Sequence, residues 1–72
     1  PNPFHVNTTI ELAERKDFIS LKLYNLLGSL VFEDNYNNIQ KIYLNRNNLE
    51  SGSYYLSLEY DQTIFWHKLI VH

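Results

Sequence analysis

The sequence lacks cysteine and methionine altogether, has only two glycines and two prolines in 72 residues, and carries no basic excess, with six Lys and Arg against eight Asp and Glu for a net charge of −2. The missing cysteines exclude structural disulfides, thiolate zinc sites and thiol redox chemistry, but they do not fix a compartment. A chain this short holds one domain, residues 1–72. Such a domain buries only roughly 60% of its unfolded surface, so without disulfides the core has to come from side chains alone. Long apolar runs are also missing. The longest, residues 26–32, is interrupted by Gly28 and Ser29 and falls far short of the ~18 apolar residues of a membrane span. The opening Pro-Asn-Pro-Phe has no basic segment followed by an apolar one, so no signal peptide is read there. The abrupt start is expected of a piece of a longer protein.

What is present is ample apolar material: 44% hydrophobic residues, with four Phe, six Tyr and one Trp, which marks a folded chain rather than a disordered one. Its order is period 2. In residues 18–24, Ile19, Leu21 and Leu23 alternate with Ser20 and Lys22, the signature of a half-buried strand. The same alternation places Ile10 and Leu12 against Thr9 and Glu11, and Ile42 and Leu44 against Lys41 and Tyr43. From 53 to 60, Tyr54, Leu56, Leu58 and Tyr60 form an apolar row opposite Tyr55, Ser57 and Glu59. Residues 63–71 are apolar on both faces, with Phe65, Leu69 and Val71 on one and Ile64, Trp66 and Ile70 on the other, so both sides are expected to be covered. The charges Glu11, Glu14, Arg15, Lys16 and Asp17 would suit a short helix, but Leu12, Ala13, Phe18 and Ile19 make no stripe at 3.6 spacing. The charged run reads as a turn between strands.

Turn residues fall between these runs, most of the nine asparagines among them: Asn35, Asn37 and Asn38 before one strand, Asn45, Asn47 and Asn48 after it. With glycine so scarce, Gly28 and Gly52 are expected at positive φ or in crowded positions. The fold class that follows is all-β: a small antiparallel sandwich of six or seven strands, immunoglobulin-like in architecture only, since Trp66 lies late and no cysteine pair exists. The expected interior is Ile10, Leu12, Ile19, Leu21, Leu23, Ile42, Leu44, Leu56, Leu58, Leu69 and Val71.

No catalytic pattern emerges. Gly52-Ser53 and Gly28-Ser29 lack the Gly-x-Ser-x-Gly elbow, and the neighbours Glu33 and Asp34 point apart into water in a turn. His67 and His72 are five apart and fall on opposite faces of a strand, so with His5 they make no expected metal site. Arg15, Lys16, Lys22, Lys41, Arg46 and Lys68 are scattered and outnumbered by acids, which speaks against nucleic acid. Asn7-Thr8-Thr9 spells a glycosylation acceptor, a triplet frequent by chance. The residues therefore point to binding, docking or signalling, with no enzyme activity and no cofactor.

Four blocks in order resemble one family. Pro1-Asn2-Pro3-Phe4 leads to Thr8-Thr9-Ile10-Glu11-Leu12; a strand then runs through Leu23-Tyr24-Asn25-Leu26-Leu27-Gly28 to Val31. Leu49-Glu50-Ser51-Gly52-Ser53-Tyr54 carries a Leu-x-x-Gly-x-Tyr pattern, and Lys68-Leu69-Ile70-Val71 closes the chain. This arrangement resembles the C-terminal sorting domain of type IX secretion cargo, the Por secretion system. It departs from the usual pattern in ending on His72 instead of a basic residue, and in Asp61-Gln62 where many relatives have a Gly or Asn-Gly turn.

The resemblance implies a C-terminal secretion signal fused to an N-terminal cargo in a Bacteroidota-type bacterium. It implies recognition by outer-membrane type IX translocon components, and removal by a sortase-like peptidase that cuts at or upstream of Pro1. Transit through the periplasm would lead to the cell surface or medium. The residues matching the family's motifs are Gly28, Leu49, Gly52, Tyr54, Lys68, Leu69 and Val71, and Ile64, Trp66 and Ile70 are an expected outer docking stripe. An accessory immunoglobulin-like module is the other reading, a spacer or a carbohydrate binder with Trp66, Tyr54, Tyr55 and Tyr60 as a sugar platform.

Overall fold

A computed structural model describes residues 7–46 and 48–72. The block Pro1-Asn2-Pro3-Phe4, His5 and Asn47 lie outside the described residues. Four strands follow in chain order, β1 (Asn7–Asn25), β2 (Leu30–Asn45), β3 (Gly52–Tyr60) and β4 (Thr63–Val71). They form one antiparallel sheet ordered β2-β1-β3-β4. The all-β class stands, but the count is four among the described residues, not six or seven.

The difference has a local cause. The expected strands around residues 8–12 and 18–24 are one strand, β1, which continues through the charged run that reads as a turn in the sequence. At a rise of about 3.3 Å per residue a straight strand of this length would reach roughly 60 Å. The longest extent of the molecule is 31 Å. The β1–β2 hairpin must therefore bend sharply, and the register shows where: Glu11 pairs with Lys41, and the next pair is Lys16 with Ile39. Residues 12–15 thus stand opposite Gln40 alone, an enlarged bulge that turns the strand without ending it. Side chains replace the lost ladder bonds. Gln40 Nε2 donates to the carbonyls of Leu12 and Ala13 at 3.1 and 3.3 Å, and Arg15 donates to the carbonyl of Asn38 at 2.7 Å. Asn38 has a φ of 51°, a conformation that asparagine tolerates.

The bend lets both halves of the hairpin feed one core. Leu12, Ile42 and Leu44 from one half join Ile19, Leu21, Leu23, Leu56, Leu58, Leu69 and Val71 in a single buried cluster, to which Tyr54 also belongs. Every expected interior residue is buried except Ile10, which is half-buried and packs against the cluster. Residues 63–71 differ from expectation: as the edge strand, β4 is exposed from Thr63 to Lys68 and buried only at Leu69 and Val71. Phe65, on the inner row, remains 39% exposed and stacks on Tyr60 at 4.8 Å, because it lies beside the β3–β4 turn at the margin of the core.

Asp61 and Gln62 close that turn with φ of 53° and 61°, the two positive values a type I′ hairpin requires. Gly28 (φ 87°) and Gly52 (φ 151°) also have positive φ, and an added Cβ would meet nothing within 4 Å at either. Their role is conformational rather than steric. Gly28→Ala and Gly52→Ala are each expected to lower stability by about 1 kcal/mol or more, measured as a fall in melting temperature; an unchanged melting temperature for both would refute the role.

Candidate recognition surface

One end of the molecule gathers the β1–β2 turn, the connection at residues 46–51 and the close of β4. Asn25 organises the first. Its Oδ1 accepts from the Leu27 and Ser29 amides, both at 3.0 Å, while Gly28 donates to the Asn25 carbonyl, also at 3.0 Å. This ordered turn presents Leu26 and Leu27, the latter 92% exposed. Asn25 pairs with Tyr54, Tyr54 with Leu69, and Gly52 with Val71, so the turn, β3 and the end of β4 share one register.

Arg46 organises the second. Its Nε donates to the Leu49 carbonyl at 3.0 Å, one terminal nitrogen donates to Ser51 Oγ at 3.0 Å, and the other donates to the main-chain oxygen of His72. The Leu49 amide returns a bond to the Arg46 carbonyl at 3.0 Å. Tyr54, buried on the inner row, donates its hydroxyl to the Glu50 carbonyl at 2.5 Å.

The family-motif residues therefore divide by environment. Tyr54, Leu69 and Val71 are core, Leu49 is half-buried against it, and Gly28 and Gly52 shape backbone. Lys68 is exposed. Of the expected docking stripe, Ile64 and Trp66 are 51% and 57% exposed and Ile70 is half-buried. On this outer face Trp66 lies 5.7 Å from Tyr24 and is opposite Ser57, and Lys68 is opposite Tyr55. Tyr24, Tyr55 and Trp66 line a cleft of about 460 Å³ with Asn25, Leu26 and Gly28. The sugar platform does not assemble: Tyr54 and Tyr60 belong to the inner row, and only Tyr55 and Trp66 share the outer face.

At the opposite end Lys16 joins the bend to the β3–β4 turn. Its Nζ meets Asp61 Oδ2 at 2.5 Å and Glu14 Oε1 at 3.2 Å, and sits 4.9 Å above the Tyr60 ring. Bonding to Asp61 first and Glu14 second raises its pKa above the ordinary 10.5. Among the described residues no group of three or more His, Cys, Asp or Glu could hold a metal ion. His67 and His72 lie on β4 and just past it, both exposed, and His5 is outside the described residues.

Sequence reasoning missed Arg46 and Lys16 as organisers. Arg46 sits in an asparagine-rich stretch that reads as a turn, and Lys16 in a charged run whose partner Asp61 is 45 positions away. One signal was available for Arg46: a lone cation at a strand end, before a connection whose carbonyls need donors.

Together these residues make a small bent sheet with buried motif residues and, among the described strands, β4 at its edge. The chain belongs to the secretion system C-terminal sorting domain family, whose model matches residues 1–72. The family comprises sorting signals of type IX secretion. Among curated proteins no match to the chain is found.

Two measurements test this geometry. Tyr54→Phe removes the hydroxyl bond to Glu50 and is expected to cost about 0.5–1.5 kcal/mol in a urea titration. No cost would mean that the bond does not hold the connection. Lys16 has a raised folded pKa, so its pairing is complete below the unfolded value and is lost as pH climbs through the folded one. Tyr36 is raised by burial first and by Asp34 second, and acts with the same sign. The melting temperature should fall as pH rises above the ordinary values of 10.0 for Tyr36 and 10.5 for Lys16, and fall less in Lys16→Met; equal falls in both proteins would remove Lys16 from the account.

Proposed function

We propose that this domain is the C-terminal address label of a larger exported protein, recognised in its folded form by outer-membrane components of the type IX machinery. The observation that supports this most is the family match along the whole chain. On this reading the cargo is fused before the domain, crosses the periplasm, and reaches the cell surface or medium of a Bacteroidota-type bacterium. A sortase-like peptidase then removes the label, for which this domain is substrate and not enzyme. The bent hairpin would complete a two-layered, immunoglobulin-like sandwich.

Within this proposal the motif residues do two kinds of work, a division that the burial pattern supports. Tyr54, Leu69 and Val71 are covered, so they act by building the surface, together with Leu49 and the backbone shapes at Gly28 and Gly52. Direct contact falls to Lys68, Ile64, Trp66 and the accessible part of Ile70 on the outer row of β4. An edge strand bearing exposed aromatic and aliphatic side chains is a common peptide- or protein-docking element.

The test is a fusion of the chain to the C-terminus of a periplasmically exported fluorescent reporter, in a bacterium with type IX machinery. The intact fusion should reach the surface or medium. Deleting residues 66–72 should stop export, since it removes both core residues Leu69 and Val71 and the exposed Trp66 and Lys68. Lys68→Ala should change stability by less than ~0.5 kcal/mol yet lower export, because charge across an interface governs recognition more than folding. A folded intact fusion retained in the periplasm at the level of the bare reporter would overturn the sorting reading in favour of an accessory module.

A further inference from the structure

We propose that the outer edge of β2, from Leu30 to Asn37, is a docking site for an extended basic segment of a partner protein, which adds to the sheet beside β2 and sets an apolar side chain in the cleft at the start of that strand. The site is separate from the β4 surface and stands independently of the sorting reading.

A strand at the end of a sheet carries backbone donors and acceptors that only another extended chain can match along its length. β2 is first in the order β2-β1-β3-β4 and pairs with β1 alone among the described residues. One bond shows which way its amides face. The Asn35 amide donates to Asp34 Oδ1 at 2.8 Å, so it points away from β1. Glu33, Asn35 and Asn37 stand opposite Lys22, Ser20 and Phe18 in unbroken register, two residues apart, and so share that outward direction. All three are exposed. Asp34 thus shields one amide of the row, with a rotatable side chain that an incoming carbonyl can replace.

Charge and shape define the occupant. Residues 30–40 carry Glu33 and Asp34 but no Lys or Arg. Glu33 is opposite Lys22, yet the ion pairs among the described residues are those of Lys16. A third acid, Glu50, lines a cleft of about 470 Å³ with Val31 and Phe32 of β2 and Leu49. Successive side chains of a strand point to opposite faces. A lysine or arginine beside Glu33 therefore lies on the outer face, while an apolar residue beside Phe32 lies on the inner face and reaches the cleft. Backbone bonds then supply affinity, and the cleft and the acids supply selectivity. A second copy fits less well. The straight part of β2 laid antiparallel on itself brings the Glu33 and Asp34 of both copies together, and the bulge beyond Asn37, with Asn38 at a φ of 51°, stops a longer register.

The test uses the purified chain and three labelled peptides of about ten residues, long enough to cover one strand. One alternates lysine with valine, one glutamate with valine, and one lysine with threonine; binding is read by fluorescence anisotropy. The lysine–valine peptide should bind roughly tenfold or more tighter than the other two, and should slow hydrogen exchange at the Glu33, Asn35 and Asn37 amides. Asn35→Pro removes an outward amide without costing the sheet a ladder bond, and should weaken binding roughly tenfold while the fold is kept. Should that variant fail to fold, the double variant Glu33→Gln, Asp34→Asn decides: its side-chain amide oxygen can still cap the Asn35 amide, and binding should weaken roughly fivefold or more. Absence of binding by the lysine–valine peptide overturns the proposal, as does equal binding of the glutamate–valine peptide or protection confined to other strands. Dimerisation of the free chain that Asn35→Pro abolishes would assign the edge to a second copy instead. None of these readings depends on export of the reporter fusion, so this site and the sorting reading stand or fall separately.

Discussion

The bend in the β1–β2 hairpin is the constraint on which the remaining structure depends. Two strands of 19 and 16 residues cannot lie straight in a domain 31 Å long. Their turning back is what allows Leu12, Ile42 and Leu44 to share a core with Leu21, Leu56 and Val71. A flat four-stranded sheet would leave one face of those rows in water, and a domain without disulfides has little else to stabilise it. The interruption between Glu11 and Lys16 is therefore a structural requirement, maintained by Gln40 and Arg15 where the ladder is broken.

Much of this was legible in the sequence because a period-2 pattern reports directly which side chains share a face. Ile19, Leu21 and Leu23 against Ser20 and Lys22 could hardly be arranged otherwise. The two glycines were legible for a related reason, scarcity making each position informative. The continuity of β1 was not. Glu14, Arg15, Lys16 and Asp17 have turn chemistry, and only the partner strand, with Gln40 opposite four residues, reveals that they bulge within a strand. The exposure of Phe65 was hidden for a different reason: an apolar strand reads alike whether it lies at the centre of a sheet or at its edge, and strand order is not a local property.

The recognition surface was legible in part. Motif residues such as Tyr54 and Leu69 stand out by type and spacing, but type does not separate a side chain that touches a partner from one that supports the surface. Burial does. Arg46 and Lys16 escaped notice because their partners, His72 and Asp61, lie 26 and 45 positions away. Long-range pairing of single charges leaves no periodic trace, whereas the apolar rows they secure do.

The order of the strands gives folding a direction. β1 and β2 pair early along the chain, yet the cluster stays open until Leu69 and Val71 arrive on the last strand to pair with Tyr54 and Gly52. The β3–β4 pairing is itself a local hairpin; the non-local step is the pairing of β1 with β3, Ser20 opposite Glu59, where distant segments must be brought together before their contacts stabilise anything. A polypeptide emerging from the ribosome cannot complete this core until residue 71 is free, and a product broken off before residue 69 cannot complete it at all. The native sheet thus forms only in molecules synthesised through β4.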